Sequence, residues 1–150
     1  MAEAKIHIRQ VRGDDAFLKR LLEVREDEMR LLYPQSGQWR QAEANFANLW
    51  FLASHDGVAA GCVSLSRLAD GYEVRRLFVV SERRHQGIAS ALLIRAEKAA
   101  RALNAPVLRL ESGRKLAAAH RLYTAQGYVP GEAFGRHSAN GDSLFFFKLL

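Results

Sequence analysis

Apolar and polar positions follow two periods along this chain, and the switch between them marks the elements. Residues 5–12 set Ile6, Ile8 and Val11 among polar neighbours, a strand pattern, and Gly13-Asp14-Asp15 then offers a turn and a helix N-cap. From Ala16 to about Tyr33 the spacing of Phe17, Leu21, Val24, Met29 and Leu32 approximates a helical stripe, with Glu and Arg on the other side, and Tyr33-Pro34 ends it. Residues 39–48 suit a short second helix, and the bulky run Leu49 to Ala53 suits a strand. His55-Asp56-Gly57 and Asp70-Gly71 are turn signals, so Val58 to Leu68 and Tyr72 to Val80 complete three antiparallel strands.

After Ser81 the period lengthens. Ile88, Leu92, Ala96, Ala99 and Leu103 keep helical spacing up to Asn104, and Pro106 opens a strand from Val107 to Glu111. A strand, a crossover helix and a strand favour parallel pairing with a right-handed connection. A further helix from about Leu116 to Gln126 is stopped by Gly127, before Tyr128-Val129 and the final apolar strand Ser143 to Leu149. The expected fold is a single α/β domain over residues 1–150, with a mixed, mostly antiparallel sheet flanked by helices and one parallel strand-helix-strand unit.

Composition narrows the class. A chain of 150 residues, 49% hydrophobic and 25% charged, can bury its own core, and one cysteine, Cys62, excludes a disulfide framework. No apolar run nears the roughly 20 residues that cross a bilayer, and MAEAKIHIRQ lacks the apolar centre of a signal peptide, so a cytoplasmic protein is expected. The net charge of +6 favours an anionic partner. Its cations are spread, apart from Arg75-Arg76 and Arg83-Arg84, which argues against nucleic acid and leaves a phosphorylated small molecule open. His7, His55, His120 and His137 are too scattered for a metal site, and none is expected. Trp39, Phe46, Trp50 and Phe51 read as core, and so does Cys62, a strand cysteine with no basic motif to ionise it. The run Leu144 to Phe147 reads as a buried strand; monomer and homodimer both stay open.

The chemistry concentrates between Leu77 and Leu93, where a strand ends in a basic turn and a glycine opens a helix. Backbone N–H groups at a helix start lack intrahelical partners and, with the helix dipole, form an anion cradle. Gly87 permits close approach, small Ala89 and Ser90 keep the entrance open, and Arg84 offers a charge-assisted hydrogen bond. The pattern lacks the Gly-Lys-Ser/Thr of a nucleotide P-loop and is too short for a dinucleotide fingerprint. Arg84-His85-Gln86-Gly87-Ile88-Ala89 resembles the Gln/Arg-x-x-Gly-x-Gly/Ala signature of the GNAT family of N-acetyltransferases. Upstream, YEVRRLFV resembles that family's fourth strand, and downstream HRLYTAQGYVP resembles its helix end and glycine-aromatic turn. His85 stands where the family often has Gly, Ala89 replaces the second glycine, and Leu116 occupies a position that often carries Asn.

The resemblance implies an acetyl-CoA-dependent transferase. The pyrophosphate of acetyl-CoA, the co-substrate, would lie on Arg84, His85, Gln86, Gly87, Ile88, Ala89 and Ser90, and its pantetheine arm along Phe78 and Val79. The Val79 N–H would face the carbonyl oxygen as it becomes an oxyanion, and Tyr123 would protonate the leaving thiolate. An alkylamine, with a pKa of about 10, must lose a proton before it attacks, and Glu73 and Glu111 are the candidate acceptors. The acceptor is a small-molecule or peptide amine; Glu26, Asp27 and Glu28 would suit a cationic amine or equally form a solvated helix face. A catalytically silent acyl-CoA-binding module is the alternative.

Overall fold

The computed structural model describes residues 5–34, 48–135 and 141–150. In chain order the elements are β1 (Ile6–Val11), α1 (Ala16–Leu32), β2 (Leu49–His55), β3 (Val58–Leu68), β4 (Gly71–Val79), a 3-10 turn (Ser81–Arg83), α2 (Ile88–Ala102), β5 (Val107–Gly113), α3 (Ala117–Ala125), β6 (Val129–Pro130) and β7 (Ser143–Leu149). The helix expected at 39–48 falls almost wholly outside the described residues, as do Trp39, Phe46 and His137. The seven strands form one sheet in the order β1-β2-β3-β4-β5-β7-β6. The β4–β5 pair is parallel, whereas β1–β2, β5–β7 and β6–β7 are antiparallel. The expected mixed α/β fold is therefore observed. Chain contacts group into two compact units, Met1–Ser64 with Arg76–Ala96, and Leu65–Arg75 with Glu97–Leu150.

In the first unit, Asp15 caps α1 by accepting from the Leu18 N–H at 3.0 Å. The buried side of α1 is Leu18, Leu21, Leu22, Glu26 and Met29, while Phe17, Val24 and Leu32 are exposed. The stripe read from sequence is thus displaced by about one position, because the helix seats a carboxylate where only apolar residues were counted. Leu18, Leu21 and Leu22 pack with Trp50, Leu52, Cys62 and Phe78. Asp56 and Gly57, at φ 51° and 82°, make the two-residue β2–β3 turn, whose left-handed residues match the strand twist. At Gly61 an added Cβ would stand 2.7 Å from the Phe78 carbonyl oxygen. Gly61→Ala is expected to cost about 2 kcal/mol through forced displacement of β3 from β4, a fall in Tm of roughly 5 °C in a thermal melt.

The second unit corrects one turn. β3 ends at Leu68 and β4 begins at Gly71, so Ala69 and Asp70 form the loop and Gly71 belongs to the strand. Gly71 is required by crowding, since a Cβ there would collide with the Val107 carbonyl oxygen. β5 is buried along Val107, Leu108, Leu110 and Ser112, and β7 pairs with it from Ser143 to Leu149. Phe145 and Phe146 are buried, which makes the C-terminal apolar run an interior strand. α3 ends in a Schellman motif: Tyr128 N–H donates to Tyr123 O at 3.0 Å, Gly127 N–H donates to Thr124 O at 3.1 Å, and Gly127 takes φ 92°.

Candidate active site

In the first unit the phosphate turn grows out of β4. Arg76 holds φ 51° in the strand interior, a left-handed residue of the kind that interrupts a pleat, and its carbonyl accepts from Cys62 Sγ at 3.5 Å. Beyond it Phe78 and Val79 are buried, and Val80 N–H returns to Ala60 O at 2.9 Å. Alternation along the strand then turns the Val79 N–H away from β3. The chain closes through the 3-10 turn, with Arg83 N–H on Val80 O at 3.0 Å, and reaches α2 past two left-handed residues, His85 at φ 63° and Gly87 at φ 84°. The first explains why the family favours glycine where this chain carries histidine. Nothing lies within 4 Å of a Cβ built on Gly87, so glycine serves the backbone conformation there and leaves the approach open.

Arg84 is engaged by the turn itself and by α1. Its Nε donates to the Val79 carbonyl at 2.9 Å, and its Nη2 donates to Glu28 Oε1 and Oε2 at 3.0 and 2.6 Å. The guanidinium also lies 5.7 Å from the Phe78 ring centre. Arg83 Nη1 lies 2.9 Å from His55 Nδ1 and donates to His55 O at 3.1 Å, tying the turn to the buried imidazole. Burial pushes the Cys62 thiol up to about 12, which removes it as a nucleophile. Among the described residues no cluster of His, Cys, Asp and Glu could hold a metal ion.

In the second unit the strand register decides which way each candidate points. Leu110 stands opposite Phe146 and Glu111 opposite Phe145, so the two lie on different faces of the sheet. Glu73 pairs with Arg109, two residues from Glu111, and therefore shares its face. Glu73 is buried, with its Oε2 4.0 Å from Arg75 Nε, and Glu111 Oε1 accepts from Ser143 Oγ at 2.7 Å. Arg109 on the same face donates to Asp70 Oδ2 at 2.7 Å, and this bond holds the Asp70 carboxyl below its ordinary range. Tyr123 belongs to the other face: its ring centre is 5.8 Å from Phe146 and 6.0 Å, edge-on, from Tyr128. Leu116 sits at the N-cap of α3 and supplies no side-chain cap, which the family's usual Asn could.

The strand-turn-helix thus joins Phe78, Val79 and Arg84 to Ser90, and the register joins Glu73 to Glu111. Glu28 and Ser143 were missed, since each meets its partner only through the fold, Glu28 from 56 residues away. The parallel β4–β5 pair, bridged by a helix entered through such a turn, is the arrangement that the sequence resemblance implies. The chain belongs to the GNAT acetyltransferase family, whose sequence model, described as Acetyltransferase (GNAT) family, matches residues 18–128. An Azospirillum brasilense protein described as IAA acetyltransferase is 34% identical over 103 residues, 67% of each chain. A Klebsiella pneumoniae crystal structure assigned as an acyl-CoA N-acyltransferase is 26% identical with a TM-score of 0.81, covering 97% of both chains. The PaiA N-acetyltransferase of Thermoplasma acidophilum, in complex with coenzyme A, is 18% identical with a TM-score of 0.74 and coverage of 97% and 99%; this likeness concerns the fold alone. No helix among the described residues is long and apolar enough to cross a membrane.

Proposed function

We propose that this transferase moves the acetyl group of acetyl-CoA to a primary amine of a small molecule or peptide, by direct attack in a ternary complex. The observation that carries this reading is the turn from Arg84 to Ser90. Two left-handed residues there lead the chain into a fifteen-residue helix, and the space above Gly87 is open. Such a turn offers backbone donors and the positive end of a dipole to a diphosphate. Phe78 and Val79 would flank the pantetheine arm, and the Val79 N–H would receive the oxyanion.

In the proposed reaction the amine nitrogen bonds to the thioester carbon, the carbon–sulfur bond breaks, and an amide and a thiolate result. Glu73 or Glu111 accepts the proton lost by the amine, and the Tyr123 hydroxyl gives one to the thiolate. Glu73 is the more enclosed of the two carboxylates, whereas Glu111 already accepts from Ser143. The inert Cys62 supports direct attack over an acetyl-cysteine intermediate. No resident metal or prosthetic group enters this scheme.

Thiol release from acetyl-CoA across a panel of amines tests the reading. Release that depends on the amine is expected, and coenzyme binding without release across the panel would count against it. Glu73→Gln is expected to lower kcat by roughly a hundredfold across the pH–rate profile. If Glu73→Gln and Glu111→Gln both keep the parent profile, neither carboxylate takes the proton.

A further inference from the structure

We infer that Glu28 is a positioning residue for the diphosphate turn, acting through Arg84 to fix the chain at Val79. This deepens the function proposed above and rests on the reading of that turn as the coenzyme's anchor. Arg84 is expected to contact phosphate, yet its Nε is spent on the Val79 carbonyl and its Nη2 donates to the Glu28 carboxylate. The side chain therefore folds back on the turn that carries it and closes a loop from Val79 to Arg84. The backbone closure of the same loop is weaker at its end, where Arg84 N–H reaches Ser81 O at 3.4 Å.

Stability does not account for the pair. Both side chains are more than a third exposed, and exposed ion pairs contribute little to stability. Geometry accounts for it better. A guanidinium that must hold a carbonyl through Nε needs its far end fixed, and a carboxylate whose two oxygens both reach Nη2 supplies that anchor. Glu28 supplies that from α1, a helix capped by Asp15 and anchored by Leu18, Leu21 and Leu22. Neighbouring acids on α1 are engaged otherwise: Asp27 takes Arg30 at 3.5 Å, and Glu26 is buried. The Val79–Val80 peptide is then held from both sides, by Arg84 on its oxygen and by Ala60 O on its N–H at 2.9 Å. Glu28 also neutralises Arg84, so the turn presents backbone amides to the coenzyme.

Titration of CoA into Glu28→Gln, Arg84→Gln and the double variant tests the inference. The expected Kd for CoA rises roughly tenfold in Glu28→Gln, and the same change adds less than about twofold in the Arg84→Gln background, because the two residues act as one unit. In Glu28→Gln the KM for acetyl-CoA rises in parallel. The Val80 amide resonance of the ligand-free protein shifts in both single variants, a readout that needs no coenzyme. Unchanged or tighter CoA binding in Glu28→Gln, multiplying effects in the double variant, or an unmoved Val80 resonance would each overturn the inference. Failure of the parent protein to bind CoA would instead overturn the reading of the turn, and the Val80 resonance alone would then decide the role of Glu28.

Discussion

Tyr123→Phe is expected to lower kcat by about a hundredfold or more, the size of a lost proton transfer, while the KM for acetyl-CoA stays near that of the parent. The substitution deletes one oxygen and keeps the ring, whose place is set by the chain ending of α3. Gly127 allows the left-handed turn, the Tyr128 N–H then closes on Tyr123 O, and this closure lays the Tyr128 ring edge-on against Tyr123. Phe146 holds the ring from β7. A phenylalanine fits the same enclosure, so a fall in kcat with an unchanged melting temperature isolates the hydroxyl. Stopped-flow kinetics with an acyl donor whose thiol leaves readily should restore most of the rate. An unaffected kcat in Tyr123→Phe would assign the thiolate's proton to another source.

Lys148→Met is expected to destabilise the protein by about 3 kcal/mol, because it leaves a carboxylate buried without its nearest cation. Lys148 Nζ donates to Glu97 Oε1 and Oε2 at 3.2 and 3.1 Å and to the Gln126 carbonyl at 2.7 Å, and Glu97 is buried. Arg101 stands 3.8 Å from Glu97, a weaker replacement. The ammonium also lies 5.6 Å from the Tyr128 ring centre, and burial, with the Glu97 charge second, pushes the Tyr128 phenol upward. For a chain of this size the loss corresponds to a fall in Tm of roughly 10 °C. Replacing both partners, as Glu97→Leu with Lys148→Met, should recover much of it, since an apolar pair leaves no stranded charge. Urea denaturation of the two variants checks the difference, and equal midpoints would contradict it.

Most of the fold could be read from local signals. Asp15, the Asp56-Gly57 turn, Gly127 and the helical spacing after Ser81 each act within a few residues of themselves, and each element they mark is present. Two errors have local causes. A stripe drawn through apolar residues alone hides the seat of Glu26 in α1, and Gly71 reads as a turn residue because its true constraint, the Val107 carbonyl, lies 36 residues away in sequence. The strand-turn-helix of the candidate site was legible for the same reason as the fold, being one continuous stretch. The orientation of Glu73 and Glu111 was not, since a carboxylate's face depends on strand register. The partners of Arg84 and Glu97, 56 and 51 residues distant, leave no mark in the local pattern.

The pleat that turns Glu73 and Glu111 one way and Tyr123 the other has a practical corollary for inhibitor chemistry. If these residues carry the proposed roles, the hydrogen ion given up and the hydrogen ion supplied travel on opposite sides of a wall of backbone. A compound that joins an amine mimic to a coenzyme fragment would then cross only beyond the paired residues of β4 and β5, which end at Val74 and Leu110. A linker cut to the length of the thioester should gain far more there than a longer one.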